Sequence, residues 1–361
     1  MKIGIITFHR AINYGAVLQT YGLYQYLQSM GHEVWVIDYN PHYMRNLYKL
    51  YCTHRFEAQR LQPCGIRELR ELLSVPIRLS RKKKFRRFLT QYIPIMQLDL
   101  QNTNHGFEAF IFGSDQIWNP CHTHLDPVYF ADAPAFKVAR RISYAASAGS
   151  TENLRDVKLT RIKSLLRNFC AISVREQSLT EFLTNECGVT AVTHMDPVLL
   201  AGHSVFQKIA SPVRVNRPYV LLFTLDDYRH GFSIAEQIAK EKGIDVRIVV
   251  SSLSTFKSIH VMQSLSVEAF LGYIMNAAHV VTSSYHGTVL SILFKKDFTA
   301  FYDNERTGER IVELLSEFGL QDRLYDSVHA EKEEINWNQV HERLEACRAK
   351  SCKYFQQTLK A

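Results

Sequence analysis

The chain has 361 residues, about twice the length of an ordinary domain, so its length favours two α/β domains. Hydrophobic residues make up 46% of the sequence and aromatic residues 12%, which supplies two cores and excludes an intrinsically disordered chain. The net charge is +8, but the segment 78–87 holds seven basic residues and no acidic one. Because the rest of the chain is nearly neutral, the sequence does not indicate a nucleic-acid-binding protein.

Cysteine usage and the N-terminal segment both indicate a cytoplasmic protein. Seven cysteines are scattered along the chain, and no two have C-x-x-C spacing, which favours reduced thiols over a disulfide framework. Residues 2–8 pass directly into a strand-like run that is too short for a signal peptide. No run reaches the roughly 18 apolar residues of a membrane-spanning helix.

The first half of the chain predicts a parallel sheet with one insertion. A strand at 2–8, a helix at 15–30 and a strand at 33–38 form a βαβ unit, whose crossover requires parallel strands. Residues 41–100 are less regular, and we interpret them as a partly helical insertion that carries the basic segment. The alternation then resumes, with strands predicted at 109–112, 138–146, 170–174 and 191–195 and helices at 152–168 and 176–187.

The second half predicts another α/β unit after a polar, proline-containing linker at 201–218. The predicted elements are strands at 219–224, 244–250, 279–283 and 297–302 and helices at 231–242, 266–277, 287–295, 308–318 and 336–359. We therefore expect an N-terminal domain over 1–205, a C-terminal domain over 206–335, and a final helix over 336–361 that packs back on the N-terminal domain. The carboxyl ends of both sets of strands would then face one cleft.

Two polar turns follow strands of the first sheet. After the first strand, Asn13 and Tyr14 begin a helix whose free N–H groups suit an anion or a sugar hydroxyl, or Asn13 simply caps that helix. After the strand at 109–112, Asp115 and Asn119 are suited to bind hydroxyls and Trp118 to cover a sugar ring. The alternative is that Asp115 caps a turn and Trp118 belongs to the core.

The segment Cys121-His122-Thr123-His124-Leu125-Asp126 contains metal-ligand residue types. Its spacing matches no known zinc pattern, and no partner pair follows at a suitable distance. We therefore interpret it as a solvated loop and predict no metal.

Cationic residues follow strands in both halves. Arg175 ends the strand at 170–174, where a guanidinium suits phosphate or carboxylate, unless it only pairs with an acid such as Glu176. His286 lies between a buried strand and a helix that Gly287 opens. Arg306 and Arg310 precede or begin an amphipathic helix and either point at the same anion or belong to a solvated face.

Taken together, these segments resemble the polysaccharide pyruvyl transferase family over residues 3 to about 325. The segments that carry the resemblance are Ile5-Ile6-Thr7, Asn13-Tyr14-Gly15-Ala16-Val17-Leu18-Gln19, Phe112-Gly113-Ser114-Asp115-Gln116-Ile117-Trp118-Asn119, Tyr144-Ala145-Ala146-Ser147, Ser173-Val174-Arg175-Glu176, Asp196-Pro197-Val198-Leu199-Leu200, Ser284-Tyr285-His286-Gly287-Thr288 and the Arg306/Arg310 region. Each segment is weak alone, and their shared order makes the match specific.

The resemblance implies an α/β fold of two Rossmann-like domains whose parallel sheets face a cleft, as in GT-B glycosyltransferases. It also implies phosphoenolpyruvate as co-substrate, no other cofactor and no metal. The family's anion-binding arginine would be Arg175 and its histidine His286. Some members have Arg-Leu-His where this chain has Ser284-Tyr285-His286, so Arg306 or Arg310 would replace the lost arginine.

The implied reaction transfers the pyruvyl group to a sugar diol as a cyclic ketal, here the 4,6-hydroxyls of galactose, in capsular or exopolysaccharide synthesis. His286 would donate the proton to the methylene carbon of phosphoenolpyruvate. The expected donor-binding residues are Arg175, Ser284, His286, Gly287, Thr288, Arg306 and Arg310. The expected acceptor-binding residues are Asn13, Tyr14, Asp115, Trp118 and Asn119. The expected catalytic residues are His286, Arg175 and Asp115.

The basic segment 78–87 suggests a peripheral position at the inner face of the plasma membrane, where a lipid-linked galactose-containing oligosaccharide would be the acceptor. Each basic residue near an anionic surface contributes about 1 kcal/mol. The alternative is a solvated helix face or loop. Two other functions fit the same fold, namely a nucleotide-sugar glycosyltransferase and a non-catalytic glycan-binding protein.

Overall fold

The structure is a computed structural model that describes residues 1–47, 65–225, 227–251, 260–302, 305–325 and 333–360. The part of the predicted insertion at 48–64 lies outside the described residues. Within the described ranges, no helix combines the length and the apolar character needed to cross a bilayer. The five cysteines in these ranges are free thiols.

The N-terminal lobe comprises the elements up to residue 193. They are β1 (Lys2–Ile6), α1 (Tyr14–Ser29), β2 (Glu33–Ile37), α2 (His42–Leu47), α3 (Gly65–Tyr92), β3 (Ile95–Met96), β4 (Ala109–Phe112), α4 (Pro120–Thr123), α5 (Pro134–Lys137), β5 (Arg140–Ser143), α6 (Glu152–Arg155), α7 (Leu159–Leu166), β6 (Ser173–Val174), α8 (Gln177–Asn185) and β7 (Val192–Thr193).

After β7 the chain passes through two short connecting helices, α9 (Pro197–Ala201) and α10 (His203–Gln207), into the C-terminal lobe. The elements from there on are β8 (Tyr219–Thr224), α11 (Arg229–Lys242), β9 (Asp245–Val250), β10 (Val261–Met262), α12 (Val267–Asn276), β11 (His279–Thr282), α13 (Tyr285–Leu293), β12 (Phe298–Ala300), α14 (Glu305–Phe318) and the C-terminal helix α15 (Trp337–Lys360).

Each lobe is built on one parallel sheet. The first has the strand order β3-β2-β1-β4-β5, and isolated bridges between Ala146 and Val174 continue it toward the small pair β6-β7. The second has the order β10-β9-β8-β11-β12. The central strands β4 and β8 are buried along their whole length, as expected for parallel strands covered by helices on both faces. The predicted fold class, α/β with two Rossmann-like parallel sheets in a GT-B-like arrangement, is confirmed.

The two lobes share a hydrophobic core. One cluster of buried side chains runs from Ile3 and Ile5 of β1 to Leu221 and Phe223 of β8 without interruption. At its centre, the ring of Tyr14 stacks on that of Phe270 with 4.1 Å between centroids. The lobes are therefore joined by apolar packing at the carboxyl ends of both sheets, where the cleft residues lie.

The C-terminal helix α15 packs against the first sheet. The Tyr354 hydroxyl donates to the Ser143 carbonyl at 2.8 Å, and the Phe355 ring lies 4.5 Å from that of Tyr144. Arg348 of the same helix donates to the carbonyl of Leu199. α15 thus covers the edge of the N-terminal lobe beyond β5.

His194, which α15 covers, is expected to make the protein sensitive to acid. Its ring lies 4.6 Å from that of Tyr354, and its Nδ1 is 2.9 Å from the Ser173 hydroxyl. Burial lowers the pKa of His194 to about 4. Between pH 6.5 and 4 the unfolded chain therefore binds a proton that the folded chain excludes, so stability falls as the pH is lowered.

We expect this group to remove about 3 kcal/mol of the free energy of unfolding over that pH interval. Urea denaturation at pH 7 and at pH 4.5, with wild type and His194→Gln compared, measures this contribution. The variant should lose clearly less stability on acidification than the wild type. An equal loss in both proteins would contradict the assignment.

Candidate functional site

Arg175 lies at the carboxyl end of β6 and is buried between two carboxylates. Its Nε donates to Glu176 at 3.1 Å and its Nη1 to Asp196 at 3.0 Å, while the side chain is only 1% exposed. Burial lowers the pKa of Arg175, but Glu176, Tyr285 and Asp196 outweigh this effect and raise the pKa above its ordinary value. The guanidinium is therefore a fixed cation.

His286 reaches the same carboxylate from the other lobe. It lies in the first turn of α13, which Ser284 caps, and its Nε2 is 3.4 Å from Asp196 Oδ2. Burial raises the pKa of Asp196, but the charges of His286 and Arg175 outweigh it and lower the pKa to about 2. Asp196 thus holds the predicted arginine and the predicted histidine together as an anion.

A second buried cation lies beside this group. The Arg175 guanidinium lies 4.2 Å from the centre of the Tyr285 ring, and the Arg310 guanidinium lies 5.8 Å from it. Burial lowers the pKa of Arg310, and the charge of Arg175 lowers it further. Two guanidinium groups therefore flank one tyrosine ring, and their repulsion favours an additional anion between them.

Gly15 of α1 provides the space for His286. A Cβ at Gly15 would lie 2.2 Å from His286 Nδ1, far inside van der Waals contact. The backbone that Asn13 caps, through bonds from the Gly15 and Ala16 amides, is thereby in direct contact with the imidazole. The turn after β1 consequently sets the position of His286.

Replacing Gly15 by alanine is expected to displace His286 and lower the free energy of unfolding by about 1–3 kcal/mol, as overpacking does. The helix propensity of alanine opposes this by only about 0.5–1 kcal/mol. The measurement is a double-mutant cycle with His286→Ala, read by urea denaturation. In the His286→Ala background, Gly15→Ala should cost little. The same cost in both backgrounds would show that His286 is not the residue displaced.

A cavity of about 710 Å³ opens beside the two arginines, and we call it the interlobe cavity. Its walls are Arg175, Glu176, Gln177, Ser178, Thr180, Glu181, Ala191, Val192, Thr193, His194, Met195, Tyr285, Arg310, Glu313, Leu314, Ser316, Glu317, Cys347 and Lys350. They come from both lobes and from α15. The volume is in the range of small-molecule sites.

Asp115 lies close to this cluster in an unusual backbone conformation. Its φ of 72° is in the left-handed region, and the preceding Gly113 has a φ of 118°. A Cβ at Gly113 would lie 2.3 Å from the Tyr144 carbonyl oxygen, so the turn requires glycine. The charge of Asp115 is one of the charges that raise the pKa of Arg175. At His122 burial lowers the pKa, and the charge of Asp115 only partly counters that effect. Asp115 bridges to Ala146, whose carbonyl accepts the Arg175 amide, so it lies near Arg175. Its part in binding an acceptor stays a prediction.

Trp118 and Asn119, expected to bind the acceptor, have structural contacts instead. Trp118 is 2% exposed, donates from its indole to the Tyr129 carbonyl and stacks on Phe130. Asn119 is buried, caps α4 and donates to the Gln116 side chain. The prediction that Trp118 covers a sugar ring is wrong, because the indole is a core side chain.

The turn after β1 also departs from its predicted role. Tyr14 is fully buried, and its hydroxyl donates to the Leu265 carbonyl across the lobes, so the expectation that it contacts a sugar is wrong. Asn13 accepts bonds from the Gly15 and Ala16 amides, which is the alternative capping role. Asn13 thus fixes the start of α1, whose Gly15 lies against His286.

Among the predicted donor contacts in α13, three have local partners. Ser284 accepts from the Gly287 amide, Thr288 donates to the Ser284 carbonyl, and a Cβ at Gly287 would collide with Thr282. These residues build the helix start that presents His286, and their contact with the donor stays a prediction. The side chain of Arg306 lies outside the described residues, whereas Arg310 lines the cavity.

The basic segment 78–87 of α3 has two faces. Arg81 is fully buried and donates to the carbonyls of Val250, Gln263 and Ile12, and Arg78 is also buried. Lys82, Lys83, Arg86 and Arg87 are exposed. Arg78 and Arg81 are therefore unavailable to a membrane surface, because both side chains are buried inside the protein.

Two residues of the cluster, Asp196 and Glu176, were not predicted as site residues. Asp196 follows β7 and caps α9 through the Val198 amide, so its sequence signal is that of a helix start followed by proline. Its position at the carboxyl end of a strand is the signal that could have identified it. In the described part of the chain, no group of three or more metal-ligand side chains is arranged to hold an ion.

The family model described as polysaccharide pyruvyl transferase matches residues 13–305. This range contains Arg175, Asp196 and His286 and ends before Arg310. The chain belongs to the polysaccharide pyruvyl transferase family. This family is one of transferases, and the predicted resemblance is confirmed. No curated protein matches the sequence significantly.

Several solved structures are similar to this chain in fold, with low sequence identity. A UDP-GlcNAc 2-epimerase from Neisseria meningitidis is 12% identical with a TM-score of 0.44 over 100% of this chain and 94% of that one. The E. coli heptosyltransferase WaaC is 13% identical with a TM-score of 0.38 over 84% and 89%. Arabidopsis thaliana UGT89C1 is 11% identical with a TM-score of 0.43 over 99% and 94%. None of these likenesses bears on what this chain binds.

Proposed function

We propose that this protein transfers the pyruvyl group of phosphoenolpyruvate to two hydroxyls of a sugar, with galactose as the sugar, and forms a cyclic ketal. The observation that carries the proposal is the joining of Arg175 and His286 on the Asp196 carboxylate, next to Arg310 and the interlobe cavity. A fixed cation and an imidazole at one point are what a small, doubly anionic enol ester requires.

The two arginines serve the donor. Phosphoenolpyruvate carries a carboxylate and a phosphate, and bidentate guanidinium groups recognise both. Nε and Nη1 of Arg175 donate to Glu176 and Asp196, whereas its Nη2 has no hydrogen-bond partner among the described residues. Nη2 and the Arg310 guanidinium are accordingly the groups we assign to the donor's anionic ends.

His286 serves the proton transfer. A proton from the imidazolium goes to the methylene carbon of phosphoenolpyruvate, and C2 becomes electrophilic. One sugar hydroxyl adds to C2, the bond from C2 to the phosphate oxygen breaks, and a second hydroxyl closes the ketal. The sugar hydroxyls release two protons. One returns to His286 and the other leaves with the phosphate, so the products are the ketal and inorganic phosphate.

Asp196 and Asp115 assist from either side of this reaction. The Asp196 carboxylate, 3.4 Å from His286 Nε2, orients the imidazole that delivers the proton. Asp115 at the end of β4 is the residue we assign to orient the acceptor diol and accept a hydroxyl proton. We infer no metal or other cofactor for this chemistry, since phosphoenolpyruvate itself is the activated substrate.

The experiment is release of inorganic phosphate from phosphoenolpyruvate, measured with and without an added galactoside. Release that depends on the galactoside supports the proposal. Ligand-induced stabilisation in thermal unfolding is a second measurement, with UDP, GDP and CMP sugars for comparison. Stabilisation by a nucleotide sugar alone would favour a glycosyltransferase. Binding of a glycan without phosphate release would indicate a non-catalytic protein.

We also propose that the exposed basic side chains of α3 bring the enzyme to an anionic membrane surface bearing a lipid-linked acceptor. Four exposed cations, Lys82, Lys83, Arg86 and Arg87, give about 4 kcal/mol of attraction at low salt. Co-sedimentation with phosphatidylserine vesicles should weaken with salt and with charge reversal of Lys82 and Lys83. Equal binding to neutral vesicles would refute this.

A further inference from the structure

A carboxylate of the C-terminal lobe occupies the N-terminus of a helix in the other lobe. Glu313 of α14 accepts the amide of Gln177 on Oε2 at 2.7 Å and the amide of Ser178 on Oε1 at 3.2 Å. These are the first two amides of the nine-residue helix α8, whose own N-cap residue, Glu176, makes no side-chain cap. Glu313 thus fills a position that suits an anion.

This position suits the Glu313 carboxylate poorly. Burial raises the pKa of Glu313, and the neighbouring charge of Glu176 raises it further, while the bonds from Ser178 and Gln177 only partly counter both. The carboxylate is therefore held where its charged form is disfavoured. A ligand that brings its own charge and additional hydrogen bonds would compete with it effectively.

Two buried guanidinium groups with unused donors share the same cavity. Arg175 Nη2 and Arg310 Nε are buried and have no hydrogen-bond partner among the described residues. Both residues are more than nine-tenths buried, and both line the interlobe cavity together with Gln177 and Ser178. Buried unpaired donors are costly, so they point to a ligand that accepts from them.

The carboxylates of the cavity oppose an anionic ligand as long as Glu313 stays on the α8 amides. Among the described lining residues, Glu176, Glu181, Glu313 and Glu317 outnumber the three cations Arg175, Arg310 and Lys350. With Glu313 in place, this balance disfavours a doubly negative ligand. Withdrawal of the Glu313 carboxylate from the α8 amides removes one competing anion from the place where a ligand's charge would be held.

We propose that the α8 N-terminus, with Arg175 and Arg310, is a subsite for a phosphate group, and that Glu313 occupies it while the subsite is empty. Binding of phosphate then exchanges one anion for another on the Gln177 and Ser178 amides, and Glu313 turns out toward the cavity. The subsite would hold the phosphate of the donor and the phosphate product. That last identification rests on the proposed function.

The test is the affinity for inorganic phosphate, measured by isothermal titration calorimetry on the full chain. Glu313→Ala should bind phosphate at least fivefold more tightly than the wild type, because the internal competitor is gone. Glu313→Gln, which keeps the side-chain volume, should lie between them. Glu317→Ala is the matched control, since it removes a carboxylate from the same helix and cavity without touching the α8 amides. Its affinity should change less than twofold.

An affinity of Glu313→Ala and Glu313→Gln that equals or falls below that of the wild type would overturn the subsite. So would an equal gain in Glu317→Ala, which would indicate a general effect of charge. Thermal unfolding provides the folding check, and Glu313→Ala should show a lower midpoint without phosphate and a larger rise with it.

The proposed phosphate subsite and the proposed reaction can be refuted independently of each other. If the wild type releases no phosphate from phosphoenolpyruvate but Glu313→Ala binds phosphate more tightly, the reaction is refuted and the subsite stands. If the wild type turns over phosphoenolpyruvate and neither Glu313 variant gains phosphate affinity, the subsite alone is refuted.

Discussion

Replacing Arg175 by alanine is expected to lower the free energy of unfolding by about 3–5 kcal/mol, because it leaves two carboxylates buried without their cation. Asp196 is 1% exposed and Glu176 4% exposed, so water cannot replace the lost guanidinium. The pKa of Asp196, held at about 2 by His286 and Arg175 against the effect of burial, should rise toward the ordinary range. The same variant should bind phosphoenolpyruvate at least a hundredfold more weakly.

Urea denaturation measures the first effect and calorimetry the second. Arg155→Ala is the control, since Arg155 also pairs with a carboxylate, Glu152 at 2.9 Å, but both side chains are exposed. Exposed pairs contribute about 0–1 kcal/mol, so this control should be nearly silent. Asp196→Asn should recover part of the stability of Arg175→Ala in the double variant. A cost for Arg175→Ala as small as that for Arg155→Ala would contradict the burial argument.

The central strands were predictable from the sequence because their burial is visible in it. The apolar runs 109–112 and 219–224 predicted β4 and β8 with the bounds that the structure has. A parallel strand covered on both faces needs a continuous apolar run, which few other structures produce. The fold class followed from the alternation of such runs with helical periodicity.

The elements at the edges were harder to predict. The two-residue strands β3 and β10 lie at sheet edges, and β3 pairs with β2, a strand distant in sequence. The predicted helix 152–168 is two helices, α6 and α7, because Lys158 between them has a non-helical backbone with φ −57° and ψ 121°. The predicted linker at 201–218 contains the helix α10. Whether such short elements form depends on packing against the rest of the fold, which the local amino-acid composition does not reveal.

The candidate site also contains residues that the sequence identifies and residues whose role depends on the fold. Arg175, His286 and Asp115 were predicted as site residues because each follows a buried strand, and parallel strands gather their carboxyl ends. Trp118 and Tyr14 follow strands as well, yet their rings point into the core. An aromatic residue at a strand end suits a sugar face and a hydrophobic core equally, so residue type could not separate the two.

His286→Gln is expected to lower kcat about a thousandfold, within the range that a positioned general acid contributes. Glutamine keeps a polar side chain of similar reach beside Asp196 but cannot deliver a proton to carbon. Phosphate affinity should stay within about threefold of the wild type, because the anionic ends of the donor are held by Arg175 and Arg310. The measurement is galactoside-dependent phosphate release at saturating donor, with calorimetry for binding.

His279→Gln is the matched control, since His279 is also a buried histidine of the C-terminal lobe next to a carboxylate, with Nδ1 2.9 Å from Asp297. It lies in β11, and its ring nitrogens face Asp297 and Thr299, whereas His286 faces Asp196. Its loss should lower stability and leave kcat within about twofold. If both variants lowered kcat alike, His286 would support the fold only. If His286→Gln lost donor affinity and kept kcat, the imidazole would bind the donor and the proton would have to come from another group.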